Sequence, residues 1–354
     1  VFQKIDSKKI GNSGNNETYK TTESEEINCT MKIVVLDGYT LNPGDNPWDE
    51  IRAMGELTVY DRTNGTDIVN RINGADIIIT NKVPLGRQEM ERLPELKFIT
   101  VTATGYDIVD VEAARERGIP VCNVPVYGTE TVAQYVFALL LELARQPALH
   151  DAAVKQGEWG GQPDWSFWKK PLFELAGRTM GIVGFGRIGR RVGELANAFQ
   201  MDVIAYDPYN RENPPFSPFT WGNLEDVFSK SDVISLNCNQ TAENTGFINR
   251  GLLDRMKKSA FLINASRGGL VNEADLAEAL NEERIAGAAL DVVSSEPIQP
   301  DNPLLHAKNI ILTPHIAWAT LDARRRLMKE TVDNIKAFLN RTPRNVVNNS
   351  VKTK

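Results

Sequence analysis

From Met31 onward this sequence switches repeatedly between two hydrophobic periods. Short runs rich in β-formers, "KIVVLD", "LTVYD", "DIIIT", "KFITVTA" and "PVCNV", alternate with helical patterns, "PWDEIRAMG", "DIVNRING", "RQEMERLP" and "DVEAARERG", several of them closed by Gly or Pro. That alternation restricts the chain to βαβ units and a parallel sheet, since a helix must carry the chain back before the next strand can run the same way. The first block ends near Pro125. A second begins at "RTMGIVGFGRIG" and holds six strand-like runs: "TMGIVG", "DVIAYD", "VISLN", "AFLINAS", "AGAALDVV" and "NIILTP". Six matches a dinucleotide-binding sheet. The expected class is therefore α/β, with two doubly wound parallel sheets.

Between the blocks, "TETVAQYVFALLLELARQ" predicts a strong helix: Val132, Val136, Leu140 and Ala144 recur at i, i+4, with Phe137 and Leu141 beside them. Thr129 is the expected cap, and Glu130 suits the positive end of the helix dipole. The broad apolar face predicts burial at a domain or subunit interface. The loop "EWGGQPDWSFWKKP" holds three of the six tryptophans. It is expected as packing or an oligomer contact, with a lid over substrate as the sharper alternative. The chain closes with a long amphipathic helix, "LDARRRLMKETVDNIKAFLN".

Composition narrows the partners. The 354 residues suffice for two domains, and 42% hydrophobic with 24% charged residues describe a soluble globular chain. A net charge of −6 argues against nucleic acid or an anionic membrane as the main partner. No run reaches the ~18 apolar residues of a membrane span. Cys29, Cys122 and Cys238 are far apart and form no CxxC, so neither a disulfide framework nor a metal site is expected, which suits a reducing cytoplasm. Residues 1–30 are polar, without hydrophobic period, and too acidic for a transit peptide; they are expected as a disordered or appended extension.

"GFGRIG" supplies Gly184, Gly186 and Gly189 as GxGxxG between an apolar strand and the helical "RRVGELANAF". Such glycines permit a tight turn, close backbone approach to a pyrophosphate, and close helix–strand packing, with amides at the helix start facing phosphate. The next strand ends at Asp207, 18 residues past Gly189. An acid there accepts hydrogen bonds from ribose hydroxyls and repels a 2′-phosphate, so NAD is expected over NADP. Arg211, four residues on, softens that expectation.

Three groups of polar residues sit just beyond strands of the second block. "INASRGGLV" offers Arg267, "LDVVSSEP" offers Asp291 and Glu296, and "TPHIAW" offers His315. Carboxyl ends of parallel strands share one edge, where ligands bind. Arg grips a carboxylate through two parallel hydrogen bonds. His donates a proton to a carbonyl oxygen as hydride reaches carbon. Glu holds the second imidazole nitrogen and favours the protonated form. The set suits nicotinamide hydride transfer to a 2-oxo acid.

With "GIVGFGRIGRRV", "NASRGGLVNEADL", "ALDVVSSEP" and "LTPHIAWAT" in hand, residues 31–350 resemble the D-isomer-specific 2-hydroxyacid dehydrogenases, and most of all their glycerate dehydrogenase (hydroxypyruvate reductase) branch. The resemblance implies a Rossmann NAD-binding domain, 128–317, inserted in a flavodoxin-like substrate domain built from 31–127 and a return helix within 318–354. It implies Arg267, Glu296 and His315 as catalytic residues and Asp291 on the nicotinamide carboxamide. It puts Arg187 and Ile188 at the pyrophosphate, Asp207 at ribose, Cys238 and Asn239 near adenine, and Ala265 with Ser266 near nicotinamide. Substrate loops follow at "NKVPL", with Val83, and at "TATGYD", where the backbone of Gly105 and Tyr106 meets the substrate carboxylate. The implied reaction is NADH-dependent reduction of hydroxypyruvate or glyoxylate to D-glycerate or glycolate, in a cytoplasmic homodimer joined through the NAD-binding domain.

Two departures stand out. "SLNCN" carries Asn237 and Asn239 where relatives often have His and Pro, and Ala103 replaces a frequent Ser. Alternatives are a dehydrogenase for another oxo acid such as pyruvate, an NAD-sensing protein like the C-terminal binding protein corepressors, and formate dehydrogenase, against which Glu296 argues.

Overall fold

The computed structural model describes residues 30–209 and 212–349. The expected N-terminal extension, apart from Thr30, and Arg211 lie outside the described residues.

The first block folds as one parallel sheet of β1 (Lys32–Val35), β2 (Glu56–Val59), β3 (Ile77–Thr80), β4 (Phe98–Val101) and β5 (Val121–Cys122), in the order β2-β1-β3-β4-β5. This is the flavodoxin-like order. β3 reads "IIIT" with all four residues buried. Helices on both faces remove the need for alternation, hence a continuous apolar run.

The second sheet has seven parallel strands rather than the expected six: β6 (Thr179–Val183), β7 (Asp202–Tyr206), β8 (Phe219–Trp221), β9 (Val233–Leu236), β10 (Phe261–Asn264), β11 (Gly287–Leu290) and β12 (Ile310–Leu312), ordered β12-β11-β10-β9-β6-β7-β8. The missed strand, β8, is a three-residue edge strand, none of it fully buried. It follows "NPPFSP", whose prolines mask any period. β8-β7-β6-β9-β10-β11 is the Rossmann order, and β12 is one further strand at the opposite edge.

The helix Thr129–Arg145 packs inside the second domain, against the helix Arg187–Ala198 and strands β10 and β11. Its apolar face is thus consumed within one domain. Gly128, not Thr129, is its N-cap, and no side chain caps it. One turn in, Thr131 Oγ1 instead donates to the Ala317 carbonyl at 3.0 Å, tying the helix to the segment after β12.

The final helix, Leu321–Leu339, is capped by Thr320 and buries Leu327, Val332 and Ile335 against Ile33, Val35 and Phe98 of the first sheet. Phe338 stacks on Phe98 with ring centroids 4.4 Å apart. Arg324, buried on this helix, forks onto Asp45 at 2.5 and 2.7 Å. The chain therefore leaves the first sheet, builds the second, and returns.

Residues following β3, β4, β6, β7, β9, β10, β11 and β12 line a common cleft of about 1750 Å³. The carboxyl ends of both sheets thus face one space.

Candidate active site

The glycine turn opens the cleft from the second sheet. β6 lies between β7 and β9, so the chain departs in opposite directions from this point. Gly184 has φ +90°, a conformation that favours glycine. A Cβ there would also stand 2.7 Å from the Cys238 amide nitrogen beyond β9. Gly189 is buried, and a Cβ on it would collide with the Gly184 carbonyl; it serves helix–strand packing and does not line the cleft. Gly186 has open space where a Cβ would project. It is also the N-cap of the helix Arg187–Ala198, so the first amides of that helix, with Arg187 and Ile188, face the cleft. These positions fit a pyrophosphate.

Asp207 directly follows β7 and is buried. Its Oδ2 accepts the Phe185 N–H at 2.8 Å, and its Oδ1 accepts that of Tyr209 at 2.8 Å. The carboxylate therefore braces the glycine loop while it lines the cleft. Cys238, Asn239, Ala265 and Ser266 line it further on. Burial pushes the Cys238 thiol up to about 11, so it presents a neutral wall. Ser266 Oγ donates to the Cys238 carbonyl at 2.5 Å, joining the ends of β9 and β10.

Arg267 follows β10. Asn264, fully buried, accepts from the Ser266 N–H and donates to the Arg267 carbonyl, which shapes that turn. The guanidinium is held by one bond to the Ser266 carbonyl, 2.8 Å from Nη1. It reaches Gly105 of the first domain, where a Cβ would lie 2.5 Å from Nη2.

His315 stands beyond β12 with φ 55°. A non-glycine residue held there costs roughly 1–3 kcal/mol unless its surroundings impose it. Asp291, only 1% exposed, imposes it. Its Oδ1 accepts from Thr313 Oγ1 at 2.7 Å and the Ile316 N–H at 2.9 Å, its Oδ2 from the Ala317 N–H at 2.8 Å, and its carbonyl from the His315 N–H at 2.8 Å. The whole turn wraps one carboxylate.

His315 Nδ1 lies 2.7 Å from Glu296 Oε2, and both side chains are half-buried. Burial works to raise the Glu296 carboxyl, but the hydrogen bond and charge of His315, together with the charge of Lys82, bring it below its ordinary range. Glu296 is thus a carboxylate bound through Nδ1, leaving Nε2 of His315 as the ring nitrogen available to a ligand.

The first domain supplies the opposite wall. Gly105 lines the cleft, but Tyr106 packs against its own domain's core. Val83 is 6% exposed and lies in that core too; Asn81 and Lys82 of the same loop line the cleft instead. Tyr127 and Thr40, neither evident from the motifs, also line it. Burial pushes the Tyr127 phenol up to about 12, with the Arg267 charge pulling it down. The tryptophan loop does not reach the cleft: Trp159, Trp165 and Trp168 are 52%, 88% and 66% exposed. They are neither a plug in this chain's packing nor a lid on its cleft.

Residues 137–317 match the NAD binding domain of the D-isomer specific 2-hydroxyacid dehydrogenases. A hydroxypyruvate reductase of Blautia hydrogenotrophica is 49% identical over 321 residues, 90% of this chain and 100% of its own. The chain belongs to the D-isomer specific 2-hydroxyacid dehydrogenase family. Another member, a glycerate dehydrogenase of Methylorubrum extorquens, is 38% identical over 90% of this chain and 99% of its own. A D-lactate dehydrogenase structure from Aquifex aeolicus, complexed with NAD and lactic acid, superposes with a TM-score of 0.76 at 28% identity, over 88% of this chain and 96% of that one. The chain is thus an oxidoreductase with an NAD-binding domain. Among the described residues no helix is long and apolar enough to cross a membrane, and no His/Cys/Asp/Glu group could hold a metal.

Proposed function

We propose that this dehydrogenase reduces hydroxypyruvate and glyoxylate with NADH, giving D-glycerate and glycolate. One observation carries the reading: Arg267 and the His315–Glu296 pair, from three different strand ends, line the same cleft as the GxGxxG turn. The relatives named for hydroxypyruvate and glycerate support the substrate.

When bound, NADH supplies the hydride. Arg187, Ile188 and the helix amides hold its pyrophosphate, Asp207 its adenosine ribose, and Ala265, Ser266 and Asp291 border its nicotinamide. Arg267 and the backbone at Gly105 grip the substrate carboxylate. That grip turns the C2 carbonyl toward His315, which donates the Nε2 proton to oxygen as C2 is reduced. Glu296 keeps the ring oriented through Nδ1 and stabilises its positive charge beforehand. In the oxidation direction His315 takes the proton back.

We assign 31–127 and 318–354 to the substrate domain and 128–317 to the cofactor domain. The apolar surface of Leu149, Val154, Trp159, Trp165, Trp168 and Leu172 supports a homodimer joined through the cofactor domain. A cytoplasmic site is the reading consistent with free Cys122 and Cys238.

A panel of 2-oxo acids assayed with NADH and NADPH tests the reading. NADH should be oxidised faster with hydroxypyruvate than with pyruvate, and chiral analysis should give D-glycerate. No turnover with any member would leave a nucleotide-binding protein instead; L-glycerate would contradict the D-product reading.

A further inference from the structure

The first sheet has its own switch point. β1 lies between β2 and β3, so a crevice opens beyond the carboxyl ends of β1 and β3. Asp37, just past β1, occupies it. Its Oδ1 accepts the Asn81 N–H at 2.8 Å, and its Oδ2 accepts those of Lys82 at 2.5 Å and Val83 at 3.2 Å. Three consecutive amides of one loop converge on a single side chain. From the other side, Thr80 Oγ1 donates to the Val83 carbonyl at 2.9 Å.

This convergence sets which side chains meet the cleft. With peptides 81–83 turned toward Asp37, Val83 is directed into the core. Asn81 and Lys82 are left along the cleft with Thr40, and Asn81 Nδ2 lies 3.4 Å from Thr40 Oγ1. Thr40, Asn81 and Lys82 line the same cleft as Arg267, Glu296 and His315, and the Lys82 charge acts on Glu296. Asp37 itself does not line the cleft. Burial holds its carboxyl above the ordinary range in spite of the three amides.

We propose that Asp37 is a positioning residue for substrate selection: it holds a polar wall of Thr40, Asn81 and Lys82 that receives the C3 end of the substrate and favours 2-oxo acids bearing a hydroxyl or other hydrogen-bond acceptor there over those bearing a methyl group. This rests on the functional reading above. The physical basis is asymmetric recognition. Asn81 is buried while Thr40 and Lys82 are exposed; donors that bound substrate cuts off from water and a methyl group leaves unpaired reject that analogue more strongly than an apolar wall rejects an added hydroxyl.

The test compares kcat/KM for hydroxypyruvate and pyruvate, at saturating NADH, in the full chain and in Asp37→Asn. Asparagine keeps the size but turns an NH2 group toward at least one loop amide, which breaks the convergence. The hydroxypyruvate-to-pyruvate ratio should fall about tenfold or more, while the dissociation constant of NADH stays unchanged. A merely structural role would lower both activities in proportion, and an unchanged ratio overturns the proposal. If Asp37→Asn does not fold, the double variant Asn81→Ala, Lys82→Ala carries the test: the same fall supports the wall, and an unchanged ratio overturns it. A wild type that uses both acids equally also overturns it. A wild type inert toward every 2-oxo acid overturns the functional reading itself, an outcome distinct from these.

Discussion

Gly105 and Arg267 meet across the cleft: a methyl group on Gly105 would stand 2.5 Å from Arg267 Nη2. One domain therefore leaves a side chain out so that a guanidinium from the other can pass. Gly105→Ala should displace Arg267 by a fraction of an ångström to about 1 Å and lower kcat/KM on the order of 100-fold, with NADH binding retained. Steady-state kinetics with hydroxypyruvate, alongside NADH titration by fluorescence, checks this. Unaltered kcat/KM would mean that the guanidinium has slack and that its position is not set by Gly105.

The Arg267 fork itself makes a second expectation. Arg267→Ala should lose most activity, and Arg267→Lys should recover only part, because an ammonium has no planar pair of donors. Full activity in the lysine variant would show that charge alone suffices.

The Glu296 carboxyl is held below its ordinary range by His315. The sign follows: the stability contributed by the Glu296 carboxylate is present above the ordinary carboxylate value and is lost as pH falls through the depressed one. In reduction the carboxylate supports the charged imidazole, so Glu296→Gln should move the alkaline limb of the kcat/KM profile to lower pH. His315→Asn should lower the rate by about 10²–10⁴-fold at every pH. The limb belongs to the coupled pair. Paired pH profiles decide it, and an unmoved limb in the Gln variant would remove Glu296 as the partner.

Asp291 takes three hydrogen bonds from the turn that carries His315. Asp291→Ala should lower kcat far more than it alters KM, and should reduce stability by a few kcal/mol, at about 1.5–3 kcal/mol per bond to a charged acceptor. Thermal melting and kinetics measured together test both parts. A large loss of kcat without loss of stability would point to direct contact with cofactor as the main role.

Asp207 accepts two backbone N–H groups and still faces the cleft. Wild type should prefer NADH over NADPH. Asp207→Ala should weaken NADH by about 10–100-fold, the worth of a bond to a charged acceptor, and narrow the preference. Equal use of both dinucleotides by wild type would sink the ribose assignment.

Local sequence determined a good deal here. The alternation of periods specified two parallel sheets, since periodicity reports which faces are covered. "GFGRIG" specified the turn after β6, because the positive φ of Gly184 and the contact of Gly189 with the Gly184 carbonyl are demands within a few residues of chain. The ends of β10, β11 and β12 marked Arg267, Asp291, Glu296 and His315, because parallel strands necessarily put their carboxyl ends on one edge.

Tertiary structure decided the rest. β8 exists through its ladder with β7, a long-range pairing that three residues cannot announce. Thr129 has the chemistry of a cap, yet the chain's entry made Gly128 the N-cap and turned Thr131 to Ala317. Val83 and Lys82 are neighbours in one loop, and nothing local says which of them meets substrate. The Asp37 carboxylate, 46 residues before Val83, turned their peptides and sent one side chain to the core and the other to the cleft. Patterns along the chain encode what each residue needs from its neighbours in sequence; hydrogen bonds made between distant segments settle which of two acceptable faces it presents.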